Sequence, residues 1–299
     1  MRYTIFILFC GFFCFSQEEE PSSENYFWSY EYYLPQKGII AAKKCFIRAE
    51  SSTKSTILDT LKIGDSIKII DQSKNKLTLN NLNLPWLSVE YQKKGVLKKG
   101  FLWKGFVAIG NTSFKNLQFI TCLSNKVKQQ ITDNGYSYDQ TYFVFTIKTC
   151  DQNFTILSEK TFSHTVGENY TFTNTAIDHW GLKNTSCIYR IAFNGEACGI
   201  PTEYSYFYWN GEKLDFLIEK YDVGDANAYY HTEEFIFPKE KGGLPDTIIK
   251  KIKDAENIDE SLETSTFKVE EIIEYYSWNG SKIKLLKKVK KKPYFTKYE

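Results

Sequence analysis

The sequence predicts an all-β protein: a small barrel followed by a larger β-rich domain with an internal duplication. Three observations carry that expectation. Aromatic residues make up 17% of the 299-residue chain, with 21 Tyr and 23 Phe, and aromatic and β-branched side chains favour strands. Short runs alternate apolar and polar residues, the period of a half-buried strand. A Trp-Asn-Gly segment with strand-like flanks occurs twice. The same aromatic content excludes a low-complexity disordered chain, which lacks the apolar surface to offset ordering entropy. Lys and Arg number 38 against 36 Asp and Glu, a net charge of +2, so no general attraction to nucleic acid or an anionic membrane is expected. The chain holds only 3 His, a thin supply of general bases and metal ligands.

Residues 1–16 read as an address. Met1-Arg2 gives a positive start, Tyr3 to Phe13 an apolar run, and Cys14 and Ser16 small residues at −3 and −1 of a cleavage site after Ser16; this is the pattern of a secretory signal peptide. The run is shorter than the ~20 apolar residues of a spanning helix, and Phe12-Phe13 is too bulky for a lipidated Cys14. A secreted or periplasmic protein with no transmembrane segment after signal removal is expected. Residues 17–37 form a lead-in segment with an aromatic cluster, Tyr26, Phe27, Trp28, Tyr30, Tyr32 and Tyr33.

The barrel is expected over 38–109. Cys45 and Ile47, then Ile67 and Ile69, alternate with polar neighbours. Gly64-Asp65 suits a tight turn between two strand-like runs. The order of features then carries a resemblance. Cys45-Phe46-Ile47-Arg48 is followed by the loop Ser51-Ser52-Thr53-Lys54-Ser55, by Leu61-Lys62-Ile63-Gly64-Asp65, by Pro85-Trp86-Leu87-Ser88-Val89, and by Gly100-Phe101-Leu102-Trp103-Lys104-Gly105-Phe106-Val107. This succession resembles the bacterial SH3 (SH3b) domain, over about a quarter of the chain. Phe101 stands where that family has Trp, and the insert Asp71 to Leu84 is longer than usual. The resemblance implies a small non-catalytic binding barrel that recognises a cell-wall or peptide ligand. Trp86, Tyr91 and Trp103 then offer either stacking surfaces or ordinary barrel core. Lys98 and Lys99, in a run with Lys93, Lys94 and Lys104 that has no nearby acid, face an anionic wall polymer or guard an open edge against strand pairing.

The remainder, 110–299, repeats itself. Tyr208-Trp209-Asn210-Gly211-Glu212-Lys213-Leu214 recurs as Ser277-Trp278-Asn279-Gly280-Ser281-Lys282-Ile283, and Gly181-Leu182-Lys183-Asn184-Thr185 as Gly243-Leu244-Pro245-Asp246-Thr247. Asn-Gly between apolar strands predicts a type I′ hairpin. Two β-meander units are expected, at about 176–222 and 235–290, the second lengthened by seven residues placed in the acidic loop Asp254 to Glu263. Such units weakly resemble the blades of secreted FG-GAP-type propellers. The matching loops, Asp178-His179-Trp180-Gly181 and Lys241-Gly242-Gly243, lack the spaced carboxylates that calcium requires. Glu263 to Tyr276 fits a helical period, but its β-branched content favours strand.

No catalytic motif is present. His-Glu-x-x-His, Cys-x-x-Cys, a Gly-x-Ser-x-Gly elbow and a phosphate-binding Gly loop are all missing, and no metal or other cofactor is expected. Signal removal takes Cys10 and Cys14, leaving Cys45, Cys122, Cys150, Cys187 and Cys198; Cys187 and Cys198 are the candidate disulfide, with Cys122–Cys150 or buried free thiols as alternatives. The basic run Lys284 to Lys297 reads as a solvated tail or a contact for an anionic polymer. The expected function is an exported, non-catalytic binding protein of the bacterial envelope. Its expected partner is a wall polymer or an envelope protein, not nucleic acid. The alternative is a wall hydrolase or peptidase with its site in 111–299, which requires a Cys or carboxylate within hydrogen-bond reach of His164, His179 or His231 in a cleft.

Overall fold

Alternation decides where the chain turns inward. The computed structural model describes residues 34–167, 169–258 and 265–298; the expected signal peptide and most of the expected lead-in segment lie outside them. The fold is all-β. The first sheet holds β1 (Gln36–Ile39), β2 (Lys44–Arg48), β3 (Ile57–Lys62), β4 (Ser66–Leu79), β5 (Leu82–Lys93) and β6 (Val96–Trp103). Its order is β1-β4-β5-β6-β2-β3, and it curls around Cys45, Ile47, Ile67, Ile69, Leu87 and Val89, all buried. An isolated bridge between Ile40 and Val107 closes the base. The expected turn at Gly64-Asp65 is present, but it links strands that pair with other neighbours instead of forming a hairpin. The insert Asp71 to Leu84 extends the β4–β5 hairpin. Its tip, Asn80-Asn81, has positive φ at both residues, the requirement of a type I′ turn.

The second sheet is a meander of β7 (Gly110–Phe114), β8 (Leu117–Asp133), β9 (Tyr136–Cys150) and β10 (Ile156–His164), ordered β10-β9-β8-β7. The third runs through β11 (Tyr170–Asp178), β12 (Cys187–Gly195), β13 (Thr202–Trp209), β14 (Leu214–Asp225), β15 (Tyr229–Ile236), β16 (Thr247–Asn257), β17 (Ser265–Trp278) and β18 (Ile283–Lys290), with β19 (Tyr294–Tyr298) pairing on β17. The second sheet packs on β11–β14 through one core that includes Phe119, Phe145, Tyr189, Phe193 and Phe207. Phe119 and Tyr189 stack at 4.8 Å, and Thr121 and Asn174 satisfy the buried Tyr189 hydroxyl. The curled sheet joins the same core. Leu82 and Trp103 belong to it, and the Lys148 ammonium crosses to the Ala41 carbonyl at 2.6 Å.

The duplication is structural. β11–β14 and β15–β18 are successive four-strand meanders, and each ends in the Trp-Asn-Gly hairpin. Pairing shifts by one residue at Tyr206/Phe207 in the first copy and at the matching Tyr275/Tyr276 in the second. The hairpin turn corrects the sequence reading. Only Gly211 and Gly280 have positive φ, 101° and 97°, whereas a type I′ turn needs it at both central residues. Trp209 pairs with Leu214, so the loop holds four residues. The Asn210 side-chain oxygen accepts the Glu212 and Lys213 backbone N–H groups, and Asn279 does the same for Ser281 and Lys282.

Of the acidic segment Asp254 to Glu263 expected to take the extra length of the second copy, Asp254 to Asn257 are strand residues of β16 and residues 259–263 lie outside the described residues; β17 has 14 residues against 8 in β13. The added part of β17 recruits β19. The basic run beyond Lys284 is thus strand and not a tail, with Lys288, Lys290 and Lys291 paired to Glu274, Glu270 and Glu271 of β17. No helix among the described residues is long and apolar enough to cross a membrane.

Candidate functional site

The barrel residues singled out from sequence fall into cores. Trp86, Tyr91 and Trp103 are 4%, 2% and 3% exposed, so none presents a ring to a ligand. Trp103 points away from the curled sheet's own core into the core it shares with Leu82, Phe119 and Phe145; its indole N–H donates to the Leu77 and Leu84 carbonyls. The lysine run is not free of acids. Lys98 and Lys93 pair with Asp59, and Lys99 and Lys68 with Glu90. Hydrogen bonding to the Thr60 N–H and then to Lys98 holds the Asp59 carboxyl below its ordinary range. Lys104 is buried and donates to the Gln72 side chain.

The five thiols among the described residues are all unbonded. Cys187 opens β12 and Cys198 lies past its other end, so the strand holds the expected pair a strand-length apart, beyond the ~7 Å limit for a bridge. Cys187 is buried and Cys198 exposed. Burial pushes Cys45 and Cys187 up to about 12 and Cys150 up to about 11, and raises Cys122 as well.

Two of the three histidines, His164 and His231, lie near the junction of the two repeats. β14 and β15 join the two repeats through only three residue pairs, Val223–His231, Gly224–Tyr230 and Asp225–Tyr229. Beyond them the strands diverge, and side chains continue what the backbone ladder leaves off. Tyr221 N–H donates to the Glu233 carboxylate at 3.0 Å, Glu233 N–H to Asp222 at 2.8 Å, and the Lys220 ammonium to the Glu233 carbonyl at 2.7 Å. Glu233 is almost fully buried and pairs with Lys250 at 2.7 Å. A cleft of about 560 Å³ opens along this seam, walled by Tyr204, Tyr221 and Tyr229 with His164, Glu203, Lys220 and Lys250. Lys220 sits over the Tyr204 ring at 4.3 Å.

His164 is held between two acceptors, whereas His231 has one hydrogen-bonded acceptor, at Nδ1, and a buried Nε2 with no hydrogen-bond partner. His164 faces Glu203 at 2.5 Å through Nε2 and the Thr165 carbonyl at 2.8 Å through Nδ1. His231 faces Asp254 at 2.6 Å and Glu233 at 3.4 Å, with its ring stacked on Tyr221. His179 lies apart, in the turn after β11, where Nδ1 accepts the Gly181 N–H. No cysteine lines the cleft. Among the described residues no group of three or more His, Cys, Asp or Glu is arranged to hold a metal ion. Sequence reading missed the seam because His164–Glu203 and His231–Asp254 span 39 and 23 residues; the only local signal was His231-Thr-Glu233, whose alternation puts both side chains on one face. Comparison of the chain with protein-family models, curated proteins and solved structures finds no match.

Proposed function

We propose that this chain is an exported, non-catalytic binding protein of the bacterial cell envelope. The carrying observation is the state of its reactive groups. Both ring nitrogens of His164, the histidine that lines the cleft, face oxygen acceptors, whereas a general base must offer a lone pair to substrate. Four of the five thiols are buried and held protonated by burial, the opposite of an activated nucleophile. With the barrel aromatics in the core, the surface for a ligand lies in the β-rich domain. Sedimentation of the chain from Gln17 with purified peptidoglycan tests the reading. Retention is expected, with no release of reducing ends or free amines; a chain left wholly in the supernatant overturns it.

One observation favours a second reading. His164 and Glu203 lie within hydrogen-bond reach in a cleft, the condition set for a hydrolase. That reading predicts release of soluble wall fragments, abolished by Glu203→Gln.

A further inference from the structure

We propose that the projecting end of the β8–β9 hairpin is a docking surface for an uncharged glycan chain. β7 pairs with β8 only over Leu117–Thr121, and β10 with β9 only over Phe143–Cys150. Residues 127–142 therefore continue as a two-stranded ribbon closed by the Asn134-Gly135 turn. Cross-strand partners share a face. One face carries Val127 opposite Tyr142, Gln129 opposite Gln140, Ile131 opposite Tyr138, and Tyr136 at the tip opposite Asp133. The other carries Lys128, Thr141, Gln130, Asp139, Thr132 and Ser137. The apolar face lies open: Tyr136 is 80% exposed, Tyr138 50% and Val127 42%.

Charge and area together select the occupant. Asp133 is the only carboxylate on the aromatic face and stands at its tip, while Lys128 and Asp139 point the other way, so nothing there draws an ionic polymer or a charged headgroup. The face is about 24 Å long and about 10 Å wide, on the order of 240 Å². That is well below the ~800 Å² per partner of a stable protein interface. A narrow linear ligand fits it. Tyr rings supply rigid apolar plates with a polar rim, and the paired Gln129 and Gln140 side chains sit between them with donors and acceptors. A sugar ring has the complementary layout, an apolar C–H face edged by hydroxyls. This deepens the binding-protein reading and rests on it.

The test uses chitin as an uncharged insoluble glycan, beside intact peptidoglycan, with the chain from Gln17. Wild type is expected to sediment with chitin, and the Tyr136→Ala/Tyr138→Ala variant to bind at least about tenfold more weakly. Lys128→Ala, on the opposite face, should bind as wild type does. Both tyrosines are exposed, so a thermal melt matching wild type confirms that the variant folds. Equal retention of the double variant on chitin overturns the arm assignment, and if both still sediment with peptidoglycan the envelope-binding reading stands. A wild type that ignores both matrices overturns both. A concentration-dependent dimer abolished by the double variant overturns the glycan in favour of a second copy of the chain.

Discussion

The Glu233 carboxylate accepts the Tyr221 backbone N–H at 3.0 Å, at the point where the ladder between the two repeats stops. One side chain thus satisfies an orphaned strand donor while its other interactions hold Lys250 and face His231. A buried polar group in this position stabilises only while every partner is present.

Glu233→Gln keeps an acceptor for Tyr221 but takes from Lys250 the carboxylate 2.7 Å away, leaving only the more distant charge of Glu274. Breaking one side of a buried pair costs about 3–5 kcal/mol, so urea denaturation should show a loss of about that size. Glu233→Gln with Lys250→Met removes both charges and should recover most of it. If the double variant is no more stable than the single, the pair is not what holds the seam.

Gly64 ties the curled first sheet to the second, whose β9–β10 connection holds Phe154. Its φ is +87°, and a Cβ there would stand 2.2 Å from the Phe154 ring. Gly64→Ala combines a disfavoured backbone with a clash, and a loss of about 2–4 kcal/mol is expected. In a Phe154→Ala background the ring is gone and only the backbone part, about 1 kcal/mol, should remain. Equal costs in both backgrounds, read from thermal melts, would refute the contact.

The limits of sequence reading follow from which interactions are local. Burial at Cys45, Ile47, Ile67 and Ile69 was legible because alternation is a property of one strand. The duplication was legible because the Trp-Asn-Gly turn is contiguous. The turn type was not, since the same dipeptide serves a two-residue turn or a loop in which Asn210 ties down the N–H groups after it. Lys98–Asp59 and His164–Glu203 depend on register between distant strands. Whether Trp103 was a stacking surface or core stayed open, because its place in the shared core depends on residues far away in sequence. The Asn134-Gly135 turn of the projecting hairpin is local, with positive φ at both residues, but nothing contiguous signals that the hairpin extends past its neighbours.

Thiol chemistry separates the five cysteines of the chain from Gln17. Burial keeps Cys45, Cys150 and Cys187, pushed up to about 12, 11 and 12, protonated at pH 8. Cys122 is raised in the same way. Iodoacetamide reacts with thiolate, so the folded protein should take up one label, at exposed Cys198, and all five only after denaturation. Mass spectrometry reads the count. A second native label would mean that a core opens around one of the buried thiols.

Acid should loosen the C-terminal strands. Burial alone would push Glu274 up, but hydrogen bonds from the Tyr276 hydroxyl and Lys288 outweigh it and hold the carboxyl below its ordinary range. A folded-state pKa below the unfolded one gives stability that is present above the unfolded value, ~4.3, and lost as pH falls through the folded value. Lys288→Met removes one of the groups that hold Glu274 down, so burial is opposed mainly by the Tyr276 hydroxyl. The variant should therefore be less stable than wild type at pH 7. That gap should narrow as pH falls through the folded-state value of wild-type Glu274, below the ordinary carboxylate range. Urea denaturation at a series of pH values reads the difference directly. A gap that stays constant from pH 7 to pH 3 would show that Lys288 acts by packing its stem over β17, not through its charge.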